Sequence, residues 1–173
     1  MSVRQYTLPV EQTQWKIPSP TTVIFNWEYD ENRDKLLNLY EKGKEKQWNS
    51  NHRLNWSQEV DLSNPLGWGD EAHPLYNTGI WPKLSEKNKA DLRLHGAAWQ
   101  FSQFLHGEQG ALICTAKIVQ AVPQMDAKFY AATQVMDEGR HVETYSRYLG
   151  EKLGLVYPIN PHLQTLLGNI GQV

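Results

Sequence analysis

The sequence predicts an all-α fold in which a long antiparallel helix hairpin follows an irregular arm. Two observations lead to this prediction. All seven tryptophans precede residue 100, and six of the nine prolines precede residue 83. The last 74 residues contain no tryptophan, and their apolar residues recur at helical spacing. We therefore expect a Trp/Pro-rich arm with one short helix over residues 1–84 and a helical hairpin unit over residues 85–173.

The arm is expected to be mostly extended. Three early prolines exclude helix over residues 1–28, where residues 21–25 form at most a short strand. A first helix is predicted over residues 30–48, capped by Asp30 and carrying one apolar stripe. Breaking residues make 49–84 irregular, and the tryptophans there indicate a segment that wraps over a helical body.

Start and stop signals bound the helices of the hairpin unit. The first is predicted from the cap Ser85 to about residue 121, where Pro123 ends it. The second begins at the cap Asp126 and stops at Gly154. An Asn-Pro pair at 160–161 starts a short last helix.

Composition excludes several classes of function. The net charge is −2, with neither half of the chain basic, so nucleic acid is not an expected partner. No apolar stretch reaches the roughly 18 residues that a membrane span needs. The start has no signal-peptide pattern, and a single cysteine, Cys114, fits a reducing compartment. These observations predict a cytoplasmic protein.

Three polar side chains interrupt the apolar faces of the two long predicted helices. Glu108 lies in the middle of an apolar stripe, where an unpaired charge costs several kcal/mol. Glu138 and His141 lie one turn apart on the second helix and share a face. A Glu-x-x-His pair, with a Glu from a neighbouring helix, is how four-helix bundles build di-iron and di-manganese sites.

The spacing of these residues places them side by side. Glu108 precedes Pro123 by 15 residues and Glu138 follows it by 15. In an antiparallel hairpin turned at Pro123, each carboxylate lies about 22 Å from the turn. The sequence therefore predicts a shared metal site of Glu108, Glu138 and His141. The same spacing allows a metal-free alternative, a buried ion pair of Glu108 with His141 or Arg140.

The residues that carry this site resemble a known family. The segment Phe104-Leu-His-Gly-Glu108-Gln-Gly-Ala, followed by Asp137-Glu138-Gly-Arg-His141, resembles the ferritin-like di-iron carboxylate proteins. The nearest branches are the non-haem di-iron oxygenases and the ribonucleotide reductase small subunits. The Asp-Glu-x-Arg-His form is similar to that of bacterial multicomponent monooxygenase hydroxylases. The resemblance covers residues 95–150.

This resemblance implies a ferritin-like bundle with iron, or manganese, as its metal. Glu108, Glu138 and His141 would be the metal ligands and the catalytic residues, with Glu138 able to bridge to a second ion. Asp137 would hold a histidine of the opposite helix pair. From its position alone, one turn before Glu138, Gln134 would either hydrogen-bond a ligand or contact a neighbouring helix.

Two tyrosines and one threonine lie near the predicted ligands. Tyr145 and Tyr148 would line a substrate pocket, carry a radical or pack in the core. Thr115 would lie over the site or bond a carbonyl of its own helix.

The chain departs from the family in carrying one ligand set where the full site has two. The pair Asp70 and His73 has the same spacing, but Pro74 and neighbouring glycines place it in a loop, so we interpret it as a decoy. A second half-site would come from a homodimer, from a separate chain, or from a longer enzyme of which this is the N-terminal half.

The implied function is a non-haem di-iron oxidase or oxygenase. Such an enzyme would use O₂ to oxidise a small organic substrate and would take electrons from an external donor, because the chain has no flavin or nicotinamide motif. A ferroxidase or iron-handling bundle is one alternative. A metal-free structural subunit is another, and it predicts that loss of Glu108 or His141 changes little.

Overall fold

The described part of the chain is mostly helical. The computed structural model describes residues 5–6, 16–29 and 33–172. The β structure of the described part is one parallel pairing of two short strands, in which Gln5 pairs with Leu155 and Tyr6 with Val156. The elements are α1 Asp34–Glu45, α2 Ser50–Arg53, α3 Glu86–Ala121, α4 Met125–Tyr148, α5 Pro161–Gln172, β1 Gln5–Tyr6 and β2 Leu155–Val156.

Helices α3 and α4 form the predicted hairpin. The Ser85 side chain accepts a hydrogen bond from the backbone N–H of Asn88 at 3.2 Å, which confirms the predicted cap of α3. The two helices run antiparallel across a turn of three residues, 122–124. Next to this turn, Lys128 Nζ donates to the carbonyl oxygen of Val119 at 2.7 Å. The antiparallel pairing that starts at this turn determines which residues of α3 and α4 face each other.

The predicted cap of α4 is wrong. The helix begins at Met125, and Asp126 lies inside its first turn with 1% of its surface exposed. The Asp126 carboxylate instead accepts a hydrogen bond from the backbone N–H of Arg33 at 2.9 Å. Arg33 directly precedes α1, so this carboxylate accepts one of the N–H groups at the start of another helix, where no intrahelical acceptor exists.

Helix α1 packs on α4 and is shorter than the predicted 30–48. The predicted cap, Asp30, lies outside the described residues. The rings of Tyr40 and Phe129 stack with centroids 5.4 Å apart. A Cβ on Gly43 would lie 2.8 Å from Oγ1 of Thr133, so only glycine allows the backbone of α1 to approach α4 this closely.

The far end of the hairpin contains the buried core. After α4 the chain makes a π-helical turn over Leu149–Leu153. This turn ends at Gly154, whose φ of +70° is left-handed, as predicted for a helix end. The small residues Ala97 and Ala98 of α3 let this turn pack closely against the helix. The buried core cluster comprises Ala97, Ala98, Leu149, Leu153 and Val156.

Helix α5 returns along α3. Asn160 caps it as predicted, since its side chain accepts the backbone N–H of Leu163 at 2.9 Å. The buried Gln103 ties this cap to α3, because its Oε1 accepts from the backbone N–H of Asn160 at 2.8 Å. A Cβ on Gly110 would overlap the side chain of Leu167, so glycine permits this contact too.

The described part of the arm has little regular structure. The short strand considered at 21–25 is not formed; Ile24 instead donates its N–H to the carbonyl oxygen of Gln120 at 2.9 Å. Within 49–84, expected to be irregular, the chain forms α2 and two 3₁₀ turns, Asp70–Ala72 and Trp81–Lys83. No helix in the described part combines the length and apolar character needed to cross a membrane.

Three tryptophans of the arm lie against arginines of the hairpin. The guanidinium carbon lies 5.5 Å from the ring centroid of Trp48 for Arg140, 4.1 Å from that of Trp56 for Arg147, and 5.7 Å from that of Trp81 for Arg93. These contacts, typical of cation–π pairs, fasten the arm along the helices.

Candidate metal centre

The three predicted ligands meet between α3 and α4. His141 Nδ1 lies 3.3 Å from Glu108 Oε2 and 3.1 Å from Glu138 Oε2. One ligand atom from each residue can be chosen so that all three lie within 4.8 Å of one another. Among the described residues, this is the one group of three acidic, histidine or cysteine side chains close enough to hold a metal ion.

The local structure explains why these side chains converge. Glu138 and His141 are three residues apart on a regular helix, so both project from one face. Glu108 projects from α3 at the level that the antiparallel register places opposite them. The side chains are half-buried, with 27% of Glu108, 21% of Glu138 and 39% of His141 exposed.

The pKa of Glu138 is perturbed by its surroundings. Burial raises the pKa of Glu138, and a hydrogen bond to Glu108 raises this pKa further, while His141 lowers it. Two carboxylates that share a half-buried site are unfavourable when both are ionised, so the site favours a proton, an imidazolium or a metal ion between them. The arrangement is therefore chemically suited to a divalent cation.

Aromatic rings line the same face. The ring of Tyr145 lies 5.8 Å from those of Phe101 and Phe104. Burial raises the pKa of Tyr145, and the charge of Glu108 adds to this effect. Burial also raises the pKa of Tyr148, whose ring packs edge-on to Phe101 at 5.2 Å. Phe104 is 44% exposed, so this aromatic face is open in the described chain.

One of the two metal-free ion pairs considered from the sequence is not formed. Arg140 is buried and pairs with Asp137 of its own helix and with the side-chain oxygen of Gln47 from the arm. Burial lowers the pKa of Arg140. The Glu108 to His141 contact is present, so it is the alternative that remains.

The structure also gives local partners to the other residues considered. Asp137 pairs with Arg140 and contacts no histidine among the described residues. Gln134 Nε2 lies 3.5 Å from the hydroxyl of Tyr130, one turn earlier on α4. The Thr115 hydroxyl donates to the Ala111 carbonyl at 2.9 Å, the intrahelical alternative, and Cys114 is half-buried.

The Asp-x-x-His pair of Asp70 and His73 is built differently and lies in a loop region, as predicted. Asp70 forms an ion pair with Arg93. The Nδ1 of His73 accepts the backbone N–H of Leu75 at 3.2 Å, and its ring stacks on Trp81 with centroids 4.5 Å apart. Both side chains therefore make contacts that stabilise the loop.

The sequence did not predict the buried contacts of Arg140 or its packing against the arm. A signal was available in the spacing of Arg140 and Arg147, which lie seven residues apart and therefore on one face of α4. The partners on the arm, Gln47 and Trp48, carry no comparable pattern.

No protein-family model, curated protein or solved structure matches the chain. The assignment of this site rests on its residues and their geometry.

Proposed function

We propose that the chain carries half of a di-iron site of a ferritin-like, non-haem oxidase or oxygenase, with Glu108, Glu138 and His141 as the residues that would hold the metal. The observation that carries this proposal is the convergence of two carboxylates and one imidazole from two antiparallel helices, with ligand atoms within 4.8 Å of one another. Carboxylate oxygens and a neutral imidazole nitrogen suit iron, and also manganese.

The electrostatics of the residues fit such an ion. Glu108 and Glu138 face each other in a half-buried site, and the pKa of Glu138 is raised there. A bound cation would reduce the repulsion between the two carboxylates. His141 turns one ring nitrogen towards both carboxylates, as a third donor to the same point needs.

The surrounding side chains have a role in the proposed chemistry. A reduced iron centre, when bound, would supply electrons to O₂ for the oxidation of a small organic substrate. Phe101, Phe104 and Tyr145 would exclude water from the reacting face. Electrons would reach the site from an external donor.

The proposal includes a second half-site. The ligand face is open, since Phe104 is 44% exposed and His141 is 39% exposed. A second helix pair laid on this face would cover Phe104 and supply further ligands. We favour a second copy of the chain in this position, with a different chain or further residues of the same polypeptide as the alternatives.

A metal-free structural role is the competing proposal. It is favoured by one observation, namely that His141 Nδ1 contacts both carboxylates. A protonated imidazole there would offset part of their charge without any metal.

Metal content per chain, measured together with the mass of the native assembly, separates these proposals. After anaerobic loading with iron(II) or manganese(II), we expect two metal ions per two chains in a dimer. A monomer that binds no metal in excess iron contradicts the oxidase proposal and supports the structural role. Iron oxidation that continues without any organic substrate would indicate the ferroxidase alternative.

A further inference from the structure

A cavity of about 450 Å³ lies between the arm and the hairpin, and its lining includes Tyr145, one turn after His141 on α4. Trp56 contributes to its wall from the arm, and Phe101, Tyr145 and Tyr148 contribute from α3 and α4. The volume is within the range of roughly 300–1,000 Å³ that small-molecule sites occupy.

Several contacts fix the wall that the arm contributes to this cavity. The indole N–H of Trp56 donates to the carbonyl oxygen of Ser50 at 2.8 Å. The guanidinium of Arg147 lies 4.1 Å from the centroid of the Trp56 ring and is itself held by Glu151, with Nε to Oε1 at 2.6 Å. A wall fixed by a hydrogen bond and a cation–π contact is a pre-formed surface for a ligand.

The cavity and the ligand residues share an aromatic wall. Tyr145 lies one turn after His141, and its ring contacts both Phe101, which lines the cavity, and Phe104, which lies one turn before Glu108. The cavity is therefore connected to the positions of Glu108 and His141 through one group of contacting aromatic rings.

Donor groups without protein partners line the same cavity. The hydroxyls of Tyr145 and Tyr148 form no hydrogen bond with any described residue. Lys152 is the one charged side chain in the lining, and its ammonium pairs with no carboxylate in the described ranges. The ammonium can only donate, and the two phenols can donate as well as accept, so together they can bind an acceptor that is negatively charged.

We propose that this cavity binds an amphipathic monocarboxylate, with its apolar or aromatic body between Trp56 and Phe101 and its carboxylate towards Lys152 and the tyrosine hydroxyls. The proposal that the cavity binds such an acid does not depend on the proposed function. That the bound acid is the substrate to be oxidised rests on the proposed function.

The test compares two probes of equal shape, 4-phenylbutanoate and 4-phenylbutan-1-ol, titrated into the metal-free full chain by calorimetry. We expect the acid to bind more tightly than the alcohol. Lys152→Gln should weaken binding of the acid about tenfold, the low end for a hydrogen bond to a charged group, and leave the alcohol unchanged. Lys42→Gln, on the exposed side of α1, is the matched control and should change neither.

Tyr148→Phe keeps the ring and removes one hydroxyl, so it should weaken the acid severalfold without altering the fold. Equal binding of acid and alcohol, equal weakening of both by Lys152→Gln, or no binding of either probe would each overturn the proposal. Because the titration uses metal-free protein, it is independent of the iron measurement. Binding of the acid without any iron binding leaves the cavity site standing and removes the oxidase, and the reverse result removes the cavity site.

Discussion

Two pairs of residues share the Asp/Glu-x-x-His spacing and have opposite structural outcomes. Glu138 and His141 lie on the regular helix α4, and a third acidic side chain, Glu108, meets them from α3. Asp70 and His73 lie on a 3₁₀ turn and its end, where each binds a different neighbour. Spacing alone therefore does not make a ligand set; a regular helix and a facing element do.

Each of these two pairs also lies near an arginine that pairs with an aspartate and contacts a tryptophan of the arm. On α4, Arg140 pairs with Asp137 and lies over Trp48. In the first turns of α3, Arg93 pairs with Asp70 and lies over Trp81. The difference is burial, since Arg140 is 7% exposed and Arg93 is 18% exposed. We expect the more buried arginine to matter more for stability.

The largest difference between the Glu138–His141 pair and the Asp70–His73 pair should be in metal binding. A residue that merely hydrogen-bonds a ligand contributes roughly 10–100-fold to metal affinity, so removing a direct ligand by His141→Ala should cost about a thousandfold. His73→Ala, at the same position of the second pair, should leave affinity unchanged. Anaerobic iron(II) titration of both variants measures this, and equal affinities would contradict the assignment of Glu108, Glu138 and His141.

Stability should separate the two arginines next. Arg140→Ala removes a buried cation but leaves Asp137 40% exposed, so we expect a loss of about 2 kcal/mol in the free energy of unfolding, below the roughly 3–5 kcal/mol of a fully buried pair. Arg93→Ala is the matched variant and should lose less. Urea denaturation measures both, and an equal or larger loss for Arg93→Ala would show that burial does not decide the difference.

The smallest effect should be a dependence of stability on pH from the Asp70 region. A hydrogen bond from Arg93 lowers the pKa of Asp70 below its usual 3.8 in the folded chain. A carboxyl with a depressed folded pKa stabilises the fold above its unfolded pKa, and this contribution disappears as the pH falls through the folded pKa. Asp70→Asn should therefore lower the melting temperature at pH 7 and have little effect at pH 2. The same shift at both pH values would mean that the charge of Asp70 does not stabilise the loop.

Much of the hairpin could be predicted because its signals are local. Ser85, Pro123, Gly154 and Asn160 act on the backbone within a few residues, so they bound helices wherever the chain lies. Once the two long helices and their turn are bounded, helical geometry alone places Glu108 opposite Glu138.

The contacts of the arm could not be predicted in this way. Asp126 has the residue type and position of a cap for α4, yet it binds the N–H of Arg33, 93 residues away. Arg140 could have paired with Glu108, but it binds Gln47, also 93 residues away. These choices depend on where the arm packs, for which no local pattern exists.

The sequence by itself determined the two long helices, the hairpin and the identity of the three residues that meet on it, because backbone caps and helical periodicity act over short distances. Only the tertiary structure decided which side chains pair with Arg140 and Asp126, why Gly43 is a glycine, and that a cavity with Lys152 lies beside Tyr145. Those features arise where distant segments pack together, and close packing is a property of the assembled chain.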